Sequence, residues 1–225
     1  MLEVSQVNKS FHKQQVLQGV TFKIGTEIRV IIGLNGSGKS TLLKIISGII
    51  KADEGQIFLS GKNITDHPPE NREIGYVPQH PALFKHLTVW DNITYSLKNK
   101  RGSLEIGNQV VEMLGLMDVL SKKPGELSGG FKSRVSLARA LTSNPKTILL
   151  DEPLSDIDAA TKEKLLPEFR KALKAMNIPV IYVTHDVKEA ELIGDTFSVI
   201  TGGRLFDIDS SAKAFDAIKE SLSIA

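Results

Sequence analysis

The chain has 225 residues, of which 41% are apolar and 24% are charged, and this size and composition suit one compact α/β domain. Its 28 Lys and Arg residues nearly balance 26 Asp and Glu residues, which argues against nucleic acid as a partner, because proteins that bind phosphate backbones concentrate basic charge. Cysteine does not occur, which excludes disulfides and thiol catalysis and is compatible with a reducing cytoplasm.

The first third of the chain predicts β-strands. Residues 2–7 alternate apolar and polar side chains, as in a half-buried strand, and residues 16–24 and 56–59 show a similar pattern. Residues 27–32 are more continuously apolar, which is typical of a buried strand in a parallel sheet. This strand runs directly into a glycine-rich turn and then into a predicted helix that ends near Gly48.

The rest of the chain predicts a helical insertion followed by a return to strands. The helical spacing in the middle covers residues 89–97, 104–114 and 131–141. Residues 147–150 and 180–183 predict buried strands, and Asp158 is expected to cap a helix that starts at Ala159. A parallel α/β core that holds a helical insertion is therefore predicted.

No targeting or membrane-spanning segment is expected. The first residues lack a basic region and an apolar region, and the longest apolar runs fall far below the ~20 residues of a spanning helix. If this protein works at a membrane, another chain must cross it.

A phosphate loop follows the buried strand, with Gly33 and Gly38 placed before Lys39 and Ser40 in the Walker A pattern. These glycines and Gly36 let successive backbone N–H groups point inward, and the helix from Lys39 adds the positive end of its dipole. Lys39 can reach the β- and γ-phosphates, and the Ser40 hydroxyl is a suitable Mg²⁺ ligand. The loop therefore predicts the binding of nucleotide phosphates.

Two carboxylates, Asp151 and Glu152, end the strand over residues 147–150, and ligands bind at such strand ends in open α/β sheets. Asp151 can hold the water shell of Mg²⁺, and Glu152 can orient or deprotonate an attacking water. A strand that simply ends at solvent is the alternative. His185 follows the strand over residues 180–183, where it either contacts a γ-phosphate or serves a structural role.

A second anion site is predicted where Ser128, Gly129 and Gly130 precede the helix over residues 131–141. Ser128 can bond a phosphate oxygen, and the glycines expose backbone N–H groups at a helix start. Because the chain has one phosphate loop with its own lysine, the simple interpretation is that this second site binds a nucleotide held by another subunit. A glycine-rich helix start without a ligand is the alternative.

These motifs, in this order, resemble those of the ABC-type ATPases, the nucleotide-binding subunits of ABC transporters, over nearly the whole chain. The matching segments are residues 33–40 (Walker A), Gln79 (Q-loop), residues 127–130 (signature), residues 148–152 (Walker B with the catalytic glutamate), residues 155–158 (D-loop) and His185 (switch histidine). Walker A alone marks a broad class, but Leu-Ser-Gly-Gly at this distance before Asp-Glu-Pro is highly specific.

The resemblance implies an α/β fold of the P-loop NTPase, RecA-like kind within a single domain, residues 1–225. A mixed-sheet catalytic core with an antiparallel β subdomain would span residues 1–80 and 145–225, and a helical subdomain with the signature would span residues 81–144. Two copies would form a head-to-tail dimer, with ATP between Walker A of one copy and the signature of the other. Closure on ATP and reopening after hydrolysis would drive alternating access in a separate membrane permease.

The resemblance also assigns residues to roles. The catalytic residues would be Glu152, His185, Lys39 and Gln79. ATP would contact Phe11, which stacks on adenine, then Gly33, Asn35, Gly36, Ser37, Gly38, Lys39, Ser40 and Thr41, and in the other copy Ser128, Gly129 and Gly130. Mg²⁺ would be held by Ser40, Gln79 and Asp151. The partners would be a second copy, integral permease subunits and, indirectly, a solute-binding protein, at the cytoplasmic face of the cell membrane.

Three positions depart from the family pattern. Phe131 stands where a polar residue is usual, Asp156 stands where a small apolar residue is common, and residues 206–209 lack a frequent glycine. Phe131 and Asp156 lie near the expected subunit contact, so they bear on dimer affinity and on the ATPase rate.

Two further segments resemble particular groups of transporters and bear on the transported solute. Residues 68–79 and 82–89 resemble importer subunits for oxyanions such as molybdate, tungstate or sulfate, and those of related sugar or polyamine importers. Beyond Gly203 the chain has length for about one strand and one helix, so the C-terminal regulatory domain of larger relatives is not expected. A soluble ABC-type ATPase outside transport, for example in cofactor assembly, is the alternative, while a GTPase is disfavoured because Asn-Lys-x-Asp is absent.

Overall fold

Two β-sheets form the framework of the computed structural model, which describes residues 1–12 and 14–223. The first sheet is antiparallel, with strand order β2-β1-β4-β5. Its strands are β1 (Leu2–Phe11), β2 (Gln14–Ile24), β4 (Glu54–Leu59) and β5 (Lys62–Asn63). The alternating pattern near the N-terminus therefore predicted the strand type correctly, although β1 and β2 extend further than the pattern does.

The second sheet has six strands in the order β10-β9-β3-β8-β7-β6. They are β3 (Ile28–Ile32), β6 (Ile74–Val77), β7 (Thr147–Asp151), β8 (Val180–Thr184), β9 (Thr196–Thr201) and β10 (Arg204–Ile208). All neighbours are parallel except β9 and β10, so the sheet is mixed, as predicted. Every residue of β3, β7 and β8 is buried, which explains their continuous apolar sequences.

The α-helices are α1 (Lys39–Ile46), α2 (Val89–Ile93), α3 (Leu104–Met113), α4 (Gly129–Thr142), α5 (Ala159–Ala175), α6 (Val187–Ile193) and α7 (Ala214–Ser223). The single helix predicted over residues 89–97 is wrong, because α2 ends at Ile93 and a 3₁₀ turn covers Tyr95–Asn99. Between them the Thr94 hydroxyl donates to the Trp90 carbonyl at 2.8 Å, a local bond of the kind that bends or ends helices.

Two apolar cores lie on opposite faces of the six-stranded sheet. One joins α1 and the antiparallel sheet to side chains such as Ile31, Leu149 and Ile181. The other joins α2 to α6 against alternate side chains of the same strands, among them Val30 and Tyr182. The helices of the insertion therefore share a core with α5, and the boundary predicted at residues 81–144 stays a prediction. No helix among the described residues combines the length and apolar character of a membrane span.

Candidate nucleotide site

Three adjacent strands bring the predicted phosphate-binding and catalytic residues to one edge of the six-stranded sheet. Strand β8 lies between β3 and β7, with Ile32 opposite Thr184 and Asp151 opposite Val183. The segments that follow these strands therefore emerge side by side. They carry the phosphate loop, Glu152 and His185, as the rule for strand ends predicted.

Close packing explains two glycines of the phosphate loop. A Cβ atom on Gly33 would lie 2.6 Å from Ser37 Oγ and 2.7 Å from the Ile200 carbonyl oxygen, so no larger residue fits there. Gly38 has φ = +102°, in the region that favours glycine, and it directly precedes α1. The loop thus turns tightly between β3 and the start of that helix.

Lys39 is buried at the start of α1, with 4% of its surface exposed. Its Nζ atom donates to the carbonyl oxygens of Gly33 at 2.8 Å and Leu34 at 3.0 Å, and it lies 3.1 Å from Glu152 Oε1. An ammonium group has three protons, so these three acceptors match its full donor capacity. The lysine is therefore held at the loop by the backbone and by the carboxylate at the end of β7.

Asp151 is fixed by two hydroxyl groups. Ser40 Oγ donates to its Oδ1 atom at 2.7 Å, and the Tyr76 hydroxyl donates to Oδ2 at 2.8 Å. Burial, and then the charge of Asp151 and the hydrogen bond to it, raise the pKa of Tyr76 far above its usual value, so the phenol stays protonated. The sequence motifs did not indicate Tyr76, because its contact with Asp151 depends on β6 lying beside β7.

Glu152 and His185 contact each other directly, with 2.8 Å between Glu152 Oε2 and His185 Nδ1. Glu152 has φ = +45°, an unusual backbone conformation for a residue other than glycine. Its backbone N–H donates to the Val183 carbonyl at 3.1 Å, which helps to hold this conformation. Such local strain is concentrated at functional sites in proteins, where the surrounding structure supports it.

A cavity of about 550 Å³ opens beside this network. Its lining is Phe11, Gln14, Val16, Asn35, Gly36, Gly38, Lys39, Ser40, Thr41, Gln79 and Glu152. Phe11 is 41% exposed, which leaves its ring available for stacking, and Lys9 Nζ lies 5.3 Å from the ring centroid. Gln14 and Val16 are further lining residues that the motifs did not indicate.

The predicted residues Gly33, Ser37, Asp151 and His185 are close to this cavity without lining it. Gly33 and Ser37 lie within the phosphate loop, and Asp151 reaches the cavity wall through Ser40. His185 is connected to the lining residue Glu152.

The signature residues are not part of this cavity lining. Ser128 caps α4, where its Oγ atom accepts from the Phe131 N–H at 3.5 Å, and Gly129 faces Ile157. Ser133 Oγ donates to the Pro153 carbonyl at 3.0 Å, which ties the same helix to the segment after Glu152. One chain therefore does not bring both predicted anion sites together.

The three positions that depart from the family pattern each contact a neighbouring side chain. Asp156 pairs with His80, the residue that follows Gln79, at 2.9 Å. The Arg134 guanidinium lies 5.4 Å from the Phe131 ring centroid, and Asp207 on β10 pairs with Arg29 at 3.0 Å.

The donor set around Ser40 fits Mg²⁺. The hydroxyl of Ser40 and the carboxylate of Asp151 are hard oxygen ligands 2.7 Å apart, and the amide of Gln79 lies at the same cavity. Within the described part of the chain there is no group of three or more His, Asp or Glu that could hold a metal. Mg²⁺ is commonly bound through one or two carboxylates, with its remaining ligands from water and from substrate phosphates, so the Ser40 and Asp151 oxygens suit it.

Comparison with known proteins shows similarity to ABC transporter proteins in the family model and in the individual relatives. A family model described as ABC transporter matches residues 17–155. The molybdate/tungstate import ATP-binding protein WtpC of Archaeoglobus fulgidus is 43% identical over 201 residues, which are 88% of this chain and 83% of that protein. The sulfate/thiosulfate import ATP-binding protein CysA of Synechococcus elongatus is 39% identical over 220 residues, 96% of this chain, but the match spans only 64% of that protein.

Solved structures agree with the sheet and helix arrangement. A nucleotide-free ATP-binding cassette from an ABC transporter superposes with a TM-score of 0.82 at 28% identity, covering 96% of this chain and 95% of that one. A dimeric, post-hydrolysis ATP-binding cassette bound to ADP and Pi superposes with a TM-score of 0.79 at 29% identity, covering 91% and 96%. The fold expected from the motifs is thereby confirmed.

Proposed function

This chain belongs to the ABC transporter family as an ATP-hydrolysing cassette, and on that premise we propose that it powers the import of a solute through a separate membrane permease. The observation that supports the proposal is that four side chains meet around one phosphate loop, at the sheet edge formed by β3, β8 and β7. They are Lys39, Asp151, Glu152 and His185. The proposed working unit is a head-to-tail dimer at the cytoplasmic face of the membrane.

In the proposed binding step, the adenine ring stacks on Phe11 and the triphosphate enters the cavity above α1. Backbone N–H groups of the loop and the dipole of α1 attract the phosphates. Phosphate oxygens then compete with Glu152 for the ammonium group of Lys39. Because the two carbonyl contacts of Lys39 come from the loop itself, the lysine can exchange its third acceptor without leaving the site.

In the proposed hydrolysis step, Glu152 orients a water and accepts its proton, while His185 hydrogen-bonds the γ-phosphate. Release of Glu152 from Lys39 frees one carboxylate oxygen for that water. Ser40, Asp151 and Gln79 would hold Mg²⁺, which when bound neutralises charge on the β- and γ-phosphates. Tyr76 keeps Asp151 oriented toward Ser40.

The second copy completes the proposed site with Ser128, Gly129 and Gly130. In this arrangement the exposed start of α4 faces the γ-phosphate held by the other copy, so ATP closes the dimer and hydrolysis reopens it. Gln79 connects the site to the helices of residues 81–144, the proposed contact for the permease. The Arg139 guanidinium supports that connection, because it donates to the Ala82 carbonyl at 2.8 Å.

The proposed solute class is an oxyanion such as molybdate, tungstate or sulfate, delivered by a solute-binding protein. The similarity to the molybdate/tungstate and sulfate/thiosulfate import proteins supports this class. The comparisons do not favour a soluble role outside transport, since the relatives described above are import proteins.

The test is purification of the tagged chain from membranes of its source cells, with the Glu152→Gln variant to stabilise ATP-bound complexes. We expect a polytopic membrane protein to copurify with the variant. In a separate assay, vesicles that hold the complex with the parental chain should accumulate labelled molybdate, tungstate or sulfate only when ATP is present on the side of the membrane where this chain lies. Copurification with a soluble scaffold alone would contradict transport. Uptake of sugars or polyamines, but not oxyanions, would contradict only the solute class.

A further inference from the structure

Behind His185 lies a buried hydrogen-bond network that the proposed reaction does not use. Its centre is Glu189 on α6, whose side chain is only 4% exposed. Its carboxylate accepts hydrogen bonds from the Tyr182 hydroxyl and from Thr184 Oγ1, the latter at 2.8 Å, and Lys162 Nζ lies 3.7 Å away. A carboxylate removed from water needs such partners, and its presence in a core invites a functional explanation.

Tyr182 is a permanent donor in this network. Its side chain is fully buried, and burial, together with the negative charge of Glu189, raises the pKa of Tyr182 well above its ordinary value. The phenol therefore stays protonated at working pH and keeps one oxygen of Glu189 occupied. The other oxygen is left for Thr184.

The Thr184 hydroxyl connects Glu189 to the backbone on both sides of His185. It donates to Glu189 and accepts from the Asp186 N–H at 3.0 Å. Asp186 in turn caps α6 by accepting from the N–H groups of Lys188 at 2.9 Å and Glu189 at 3.2 Å. These hydrogen bonds form a closed ring through Thr184, which precedes His185, Asp186, which follows it, and Glu189 on α6.

We infer that Glu189 is a positioning residue for His185, acting through the Thr184 hydroxyl. The inference rests on the proposed function, in which His185 faces the γ-phosphate. The His185 side chain is 48% exposed, so packing alone holds it weakly, and a rigid backbone turn sets where the imidazole points. Lys162 extends the network to α5, the helix that begins directly after the D-loop residues 155–158.

The test compares Thr184→Val, which removes the hydroxyl at similar volume, with Thr184→Ser, which keeps it. We expect Thr184→Val to lower kcat roughly tenfold to a hundredfold, the loss typical of a small misplacement of a reacting group, with little change in KM for ATP. Thr184→Ser should retain most of the parental kcat. The matched control is Thr147→Val, which removes a buried hydroxyl bonded to the Pro179 carbonyl at the opposite end of β7. We expect it to lower the Tm similarly and to leave kcat unchanged.

The same substitution in a His185→Ala background separates positioning from stability. If Thr184 and Glu189 act through His185, Thr184→Val causes no further loss once the imidazole is gone. Should Thr184→Val fail to fold, Glu189→Gln replaces it, with the same expected dependence on the background. An equal loss in both backgrounds, or an equal loss in Thr147→Val, would overturn the inference.

His185→Ala itself keeps this inference distinct from the proposed function. If that variant is slow while Thr184→Val and Glu189→Gln turn over at the parental rate, only the positioning role falls. If His185→Ala turns over at the parental rate, the role of His185 in the proposed hydrolysis falls, and the positioning role falls with it.

Discussion

The phosphate loop and the signature helix, the two halves of the proposed ATP site, differ in how far one chain completes them. Lys39, Asp151 and Glu152 are buried, and each has at least two polar partners within the chain. Ser128 and Gly129 are exposed at the start of α4, where the cap contact is 3.5 Å long. The first half is preorganised by its own fold, while the second presents its polar groups outward, as a surface that meets another molecule does.

Glu152→Gln should have the largest effect on the first half. Losing the proton acceptor should slow hydrolysis by about 10²–10⁴-fold, because that is the usual contribution of a general base. The amide keeps the shape of the side chain, so ATP binding should persist and a closed dimer should accumulate. Single-turnover hydrolysis, nucleotide binding and light scattering measure the three quantities. Glu163→Gln on the exposed face of α5 is the control, and hydrolysis by Glu152→Gln at the control's rate would remove Glu152 from the mechanism.

Lys39→Ala should weaken ATP binding roughly ten- to a hundredfold, since hydrogen bonds to charged groups contribute about 1.5–3 kcal/mol. The same substitution leaves Glu152 in a buried site with His185 as its remaining partner, so the Tm should also fall. Isothermal titration and thermal melts measure both effects, with Lys44→Ala on the same helix as the control. An ATP affinity equal to that of Lys44→Ala would contradict the placement of the triphosphate.

Much of this first half could be predicted from the sequence. The spacing of Gly33, Gly38 and Lys39 and the carboxylates after an apolar strand indicate local chemistry, and parallel strand ends meet at one edge. Tyr76 could not be found in this way, because its role depends on β6 lying beside β7. Glu189 was missed for the same reason, since its partners Tyr182 and Thr184 lie on another element.

The second half was predicted only as far as a single chain allows. Leu127-Ser128-Gly129-Gly130 predicted a helix start, and α4 begins at Gly129, two residues before the predicted start at Phe131. Contact between the start of α4 and ATP depends on where a second copy of the chain lies. Local sequence patterns contain no information on that position. The prediction of one helix over residues 89–97 also failed, because α2 ends at Ile93 and the chain continues as a 3₁₀ turn, with the Thr94 hydroxyl bonded to the Trp90 carbonyl at the junction.

Tyr76→Phe should have a smaller effect on the first half. It removes the donor to one oxygen of Asp151 and leaves the ring packing intact, so the affinity for divalent metal in the presence of ATP should fall about tenfold. Direct Mn²⁺ binding, measured by electron paramagnetic resonance, reports this without relying on turnover. Tyr95→Phe is the control, at a ring whose centroid lies 4.5 Å from that of Phe84. An unchanged Mn²⁺ affinity would show that Asp151 needs no such support.

Ser128→Ala should have the smallest effect on a single chain. The long cap contact predicts a stability cost at the low end for such caps, about 0.5 kcal/mol, and no change in the ATP affinity of dilute protein. Turnover at high protein concentration should nevertheless fall several-fold, because a donor to the γ-phosphate is lost from the other copy. Chemical denaturation and a dilution series separate the two effects. A loss of ATP affinity in dilute protein would place Ser128 in its own chain's site instead.

In the proposed dimer each ATP lies between the phosphate loop of one copy and the signature of another, and because the sequence has no cysteine, introduced cysteines can test this arrangement directly. Asn35→Cys and Ser128→Cys are introduced on separate chains, both carrying Glu152→Gln, and the chains are oxidised alone and mixed, with and without ATP. We expect a disulfide-linked dimer only in the mixture and only with ATP. No cross-link in the ATP-containing mixture, or equal cross-linking in either chain alone, would contradict it.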